Sequence, residues 1–167
     1  MSVIAVKIDG DTIHIAADNA DVWGDTVTQT GDKLWHIGGY YSGRVLGAVG
    51  SSAVGLLMKH FLTHVDNTRL NTEAGWLDTA LRFRQHCAGY GLNADDASFI
   101  VVENGKVWRL SGVHVTQVIT HEAIGAGRPY ALAALHLDHD VTDAVGVACD
   151  LNKQCARPIV TMSMRTR

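Results

Sequence analysis

Two apolar, β-prone runs open the chain, the first fifty positions read as antiparallel β-structure, and the pattern then shifts to a helical period. SVIAVKI and DTIHIAAD flank Asp9-Gly10 and read as the two strands of a hairpin. A polar, glycine-containing stretch (NADVWGDTVTQTGDK) follows. Then come KLWHI, the turn GGYYSG and the strand-like RVLGAVG. From Ser51 to about Val65, residues Val54, Leu56, Leu57, Phe61 and Leu62 recur at helical spacing, with Ser51 and Ser52 as N-cap candidates. A second helix is predicted from about Thr72 to Gly89, with Trp76, Leu77, Ala80, Leu81 and Phe83 turned inward. Asn71 or Thr72 would cap it and the terminal glycine would stop it.

β-structure returns in ASFIVVENGKVWRLSG, where Asn104-Gly105 between two β-prone runs is a strong hairpin signal. A strand around VTQVIT, helices over roughly 128–137 and 141–150, and a closing strand PIVTMSM complete the chain. The order ββ(β), αα, ββ, αα, β predicts an α+β fold of packed antiparallel sheets covered by helix layers, not an alternating βαβ unit. The 167 residues are read as one domain, since no linker, repeat or low-complexity tract interrupts them.

Composition narrows the function classes. A formal net charge of -3 with mixed acids and bases argues against a nucleic-acid surface, which needs a concentrated basic face. Lys7, Asp9 and Asp11 break up the N-terminal run before a signal peptide could form, and no run approaches a membrane span. Cys87, Cys149 and Cys155 lack disulfide spacing and read as free thiols of a cytoplasmic protein. There is no HExxH or CxxC; His60 and His64 stand four apart on a predicted helix without an evident carboxylate partner, so no metal or other cofactor is expected. AIGAGRPYALAALHL has a G-x-G turn before a helix but lacks the third small residue and the βαβ setting of a dinucleotide loop.

The candidate chemistry lies in Ser2, Asp18, Lys33 and Gly50, each at or just outside the end of a predicted strand. Antiparallel pairing could gather these strand ends at one sheet edge. A serine hydroxyl needs a base, and removal of Met1 would leave the α-amine of Ser2 on the nucleophile itself. That amine titrates near about 7.7–8. A Lys33 ammonium beside it would lower the value further, with Asp18 holding the lysine in place. The Gly50 N–H, at the start of a helix, is suited to an oxyanion.

At these residues the chain resembles the proteasome β-subunit and HslV family of N-terminal nucleophile hydrolases, and more narrowly the short proteasome-like proteins of bacteria and phages. SVIAVKIDG…IHIAAD, GDKLWHI with RVLGAVG, DDASFIVVENGKVW, AIGAGRPYALAALH and DAVGVACDLNKQCARPIVTM carry the resemblance over nearly the whole length. It implies a four-layer αββα sandwich of two antiparallel sheets flanked by helix pairs. It also implies an endopeptidase with Ser2 as nucleophile, Asp18 and Lys33 as its partners, Gly50 as oxyanion donor and Gly125, Ala126 and Gly127 as a supporting turn. A peptide or unfolded-protein substrate, a homo-oligomeric ring and an ATPase unfoldase partner are implied likewise. Three departures stand out: serine in place of the family threonine, Ala126 in place of a turn serine, and a first strand one residue shorter before Asp9-Gly10. Register set from Asp9-Gly10 would put Met1 in the nucleophile slot. A catalytically inactive ring or assembly protein, or a hydrolase of small-molecule amides, are the alternative readings.

Overall fold

A computed structural model of the chain describes residues 2–23, 26–28, 31–38, 44–65 and 70–166. In chain order the strands are β1 (Val3–Asp9), β2 (Thr12–Asp18), β3 (Asp21–Trp23), β4 (Thr26–Thr28), β5 (Leu34–Ile37), β6 (Arg44–Gly50), β7 (Ala97–Glu103), β8 (Lys106–Ser111), β9 (His114–Val118), β10 (His121–Gly125) and β11 (Ile159–Arg165). The helices are α1 (Ser52–Thr63), α2 (Glu73–Gly89), α3 (Arg128–His136) and α4 (Val141–Leu151). The α+β expectation of two antiparallel sheets with two helix pairs is met. The chain divides into two compact units, Met1–Leu34 with Ile119–Arg167, and Trp35–Val118.

The first unit is built on an antiparallel sheet in the order β10-β1-β2-β11. Val3, Ala5, Ala16 and Ala123 form one face of it and pack with Ala131, Ala134, Leu135, Val141, Ala144, Val145 and Ala148 of α3 and α4. Alanines dominate on both sides, so helix and sheet backbones approach closely. The helices end as their sequences dictate: Pro129 sits in the first turn of α3, and the Asp140 side chain caps α4 at the Asp143 N–H.

The second unit holds the sheet β5-β6-β7-β8-β9. Its core is bulky and aromatic, with Trp76, Phe83, Phe99, Trp108, Met58 and Leu62 in one cluster. Ser51 caps α1 through the Val54 N–H, and Thr72 caps α2 through the Gly75 N–H. Asn104 and Gly105, with φ of 50° and 71°, make the expected β7–β8 turn.

Several expectations shift. Asp9 pairs with Thr12, so the first hairpin turns at Gly10-Asp11, where Gly10 takes the positive φ, one residue later than predicted. The stretch after Asp18 holds the short β3–β4 ribbon, and residues 24, 25, 29 and 30 of it lie outside the described residues. Residues 39–43 of the GGYYSG turn and Met1 also lie outside them. The run around VTQVIT is two strands, β9 in the second unit and β10 in the first. Leu77 and Leu81 are exposed, because the inward stripe of α2 is Trp76, Thr79, Ala80, Phe83 and Cys87, at helical spacing. The helix runs through Gly89 to a Tyr90 C-cap, and Gly91 is the residue with positive φ.

Candidate active site

The sheet of the first unit ends in a buried carboxylate. Asp18 closes β2, and its side chain is 0% exposed. Four donors converge on it. Oδ1 accepts from the Val3 N–H at 2.8 Å and from Lys33 Nζ at 2.9 Å. Oδ2 accepts from the Ala20 N–H at 3.3 Å and the Ala156 N–H at 3.2 Å. A buried carboxylate is tolerable only when so satisfied, and this one fastens four separate stretches of chain. The Asp18–Lys33 pairing expected from the strand ends is present.

Ser2 stands one residue before β1 and is only 4% exposed. The next residue, Val3, donates to Asp18 and is opposite Gly125 of β10. The Ser2 carbonyl accepts from the Gly127 N–H at 3.3 Å. Sequence thus places Ser2 between Asp18 on one side and the Gly125-Ala126-Gly127 turn on the other. Both glycines are needed. Gly125 has φ +97°, and a Cβ there would lie 2.1 Å from the Ser2 carbonyl oxygen. A Cβ on Gly127 would lie 2.8 Å from both Cys155 Sγ and Val3 Cβ.

Burial lowers the pKa of the Lys33 ammonium below the ordinary lysine range, against the opposing pull of Asp18. Its side chain is 10% exposed. The nearby thiols move the other way. Burial, reinforced by the Asp18 charge, pushes Cys149 up to about 11 and Cys155 up to about 12. Both stay protonated at neutral pH and are poor nucleophiles.

Gly50 belongs to the second unit. It ends β6 opposite Ala97, immediately before the Ser51 cap of α1. Its φ is +102°, and a Cβ would meet the Asp96 carbonyl oxygen at 2.2 Å, so local packing already requires glycine there. His60 and His64 lie on and just after the last turn of α1 with rings 4.7 Å apart. Among the described residues no three His, Cys, Asp or Glu side chains are grouped to hold a metal ion. No helix among them is long and apolar enough to cross a membrane.

Two contributors escaped the sequence reading. The Ala156 N–H is a backbone donor and leaves no side-chain signature. Asn152, at the end of α4, donates from Nδ2 to the Ala126 carbonyl at 2.8 Å. Its place just past a helix, in a stretch with no catalytic pattern, gave no signal.

Together these elements define an α+β fold in which a buried aspartate–lysine pair abuts the first strand. Solved structures share this fold over the whole chain. The chain is similar to Thiobacillus denitrificans BPH in complex with epoxomicin, with a TM-score of 0.87, 17% identity and 99% of each chain covered. A second structure of Thiobacillus denitrificans BPH gives 0.80 at 16% identity, covering 99% of this chain and 98% of that one. Eukaryotic HslV from Trypanosoma brucei gives 0.81 at 21% identity, covering 98% and 99%. No protein-family model matches the sequence, and no curated protein matches it by sequence comparison.

Proposed function

We propose that the chain is a proteasome- and HslV-like peptidase whose nucleophile is Ser2 after removal of Met1. The observation that carries this reading is the buried Asp18 carboxylate, which joins Lys33 Nζ to the backbone of the residue next to Ser2. Ser2 Oγ attacks the peptide carbonyl while its own α-amine takes the proton. The tetrahedral intermediate collapses as the amine returns that proton to the leaving nitrogen, and water then hydrolyses the ester on Ser2. Asp18 orients Lys33, and the electrostatics of the lysine hold the Ser2 amine near working pH. Gly50 is assigned the oxyanion role from its place before α1. The 167 residues are read as one cytoplasmic domain that forms a homo-oligomeric ring and receives unfolded protein from an ATPase.

Support for a nucleophile of this kind also comes from the epoxomicin complex of BPH, which has the same fold. The test is the intact mass of the purified protein before and after epoxomicin. Loss of Met1 and addition of one epoxomicin mass, abolished in Ser2→Ala, are expected. Retention of Met1, or labelling that survives Ser2→Ala, overturns the assignment. A catalytically inactive ring protein is the reading that would replace it, and the absent hydroxyl at Ala126 is the feature that favours it.

A further inference from the structure

The Ala126–Gly127 peptide group is held at both ends. Its N–H, on Gly127, donates to the Ser2 carbonyl at 3.3 Å. Its carbonyl, on Ala126, accepts from Asn152 Nδ2 at 2.8 Å. Because a peptide group is planar, fixing the carbonyl fixes the direction of the N–H. Hydrogen bonds in series across one amide also polarise each other.

Asn152 is itself locked. Its backbone N–H donates to Ala148 at the end of α4, and its Oδ1 accepts from the Gln154 N–H at 2.9 Å. Its carbonyl accepts from the Cys155 N–H. One residue further, the Ala156 N–H reaches Asp18 Oδ2 while the Ala156 carbonyl accepts from Asn19. Residues 152–156 therefore grip the two structures that flank Ser2: the turn through Asn152, and the carboxylate through Ala156.

We infer that Asn152 is a positioning residue for Ser2, acting through the Ala126–Gly127 peptide. This role rests on the reading of Ser2 as nucleophile. It belongs to the side-chain amide in particular, because residue 126 is alanine and brings no hydroxyl of its own to that turn. A small misplacement of a reacting group is costly, so the expected effect is on the rate of bond formation and not on probe binding.

The test compares wild type with Asn152→Leu and Asn152→Asp. Leu fills a similar volume with no polar group. Asp keeps the acceptor for Gln154 but presents no donor to Ala126. Epoxomicin labelling is followed by intact mass across probe concentrations, and hydrogen exchange is measured at the Gly127 amide. Both variants are expected to lower the saturating labelling rate by about tenfold or more, with the half-saturating concentration changed by less than about twofold. Exchange at Gly127 should quicken about tenfold as its hydrogen bond weakens. If Leu does not fold, Asp, which retains the Gln154 contact, carries the test. A folded variant with a wild-type saturating rate and unchanged Gly127 exchange overturns the inference. Absence of labelling in wild type would sink the peptidase reading instead. The Gly127 exchange of the variants then still decides the brace: quickened exchange supports it and unchanged exchange overturns it.

Discussion

Asp18 with Lys33 in the first unit, and Glu103 with Arg44 in the second, are both ion pairs withdrawn from water, yet they are satisfied in different ways. Asp18 takes three of its four hydrogen bonds from backbone N–H groups, and its partner is a titratable amine lowered by burial. Arg44 donates from Nε to Glu103 and from Nη1 to the Leu62 carbonyl at 2.8 Å, in the last turn of α1. That pair ties a helix end to β6 and β7 with a cation that never loses its proton. A carboxylate saturated by backbone can lose its lysine and stay solvated by the fold. A carboxylate that depends on one guanidinium cannot. Burial of opposite charges is therefore no guide to role. What separates the pairs is whether the cation can change protonation and what stands beside it.

The comparison breaks most sharply under activity. Lys33→Met is expected to lower the epoxomicin labelling rate of Ser2 by about 10²–10⁴-fold, the usual range for loss of a group that supports proton transfer. Its cost in stability should be only about 1–3 kcal/mol, because the three N–H donors to Asp18 remain. A variant that labels at the wild-type rate would remove Lys33 from the chemistry. Arg44→Met should behave in the reverse sense. Stranding Glu103 is expected to cost about 3–5 kcal/mol in urea unfolding, while the labelling rate per folded molecule stays unchanged. The double variant Arg44→Met with Glu103→Leu should recover most of that loss, since an apolar pair of similar volume avoids burying a lone charge. A double variant no more stable than Arg44→Met would show that Arg44 acts through contacts other than the ion pair, the Leu62 carbonyl among them.

How far the sequence revealed each region follows from what local patterns encode. Strand-end position, amine chemistry and the family resemblance together brought Asp18 and Lys33 forward, and the Asp18–Lys33 contact is there. The caps Ser51 and Thr72 and the Asn104-Gly105 turn were readable because a specific side chain or φ is required at each. The Arg44–Glu103 pair was not, since a charged residue at the start of one strand and another at the end of a strand far along the chain each read as a solvated terminus. The β3–β4 ribbon lies in a polar stretch, and β9 and β10 are separated only by Ile119 and Thr120, with no Gly or Pro to mark the division that tertiary structure makes. Leu77 and Leu81 looked inward because the apolar stripe was drawn too wide; Trp76, Ala80 and Phe83 already fill the available core. The Asn152 brace depends on a backbone carbonyl far away in sequence, and no pattern of residue types records that.

The smallest expected effect, and the most direct reading of the difference, lies in the pH dependence of stability. Burial lowers the Lys33 pKa in the folded state, while the unfolded chain titrates near about 10.4. Between those values the unfolded state holds more protons, so unfolding free energy should rise with pH across that window. Below it, the full cost of burying the ammonium is present; above it, both states are neutral and the cost is gone. Glu103 gives the opposite sign in acid. Burial outweighs Arg44 and raises its folded pKa above the unfolded value near about 4.3. There the folded state holds more protons, and stability should fall as pH rises through the window. Urea midpoints of wild type minus Lys33→Met should climb on the alkaline side, and those of wild type minus Glu103→Gln should drop on the acid side. A flat alkaline difference would mean that Asp18 fully offsets the burial of Lys33. The lysine would then be a permanent cation like Arg44, acting on the Ser2 amine through fixed charge alone.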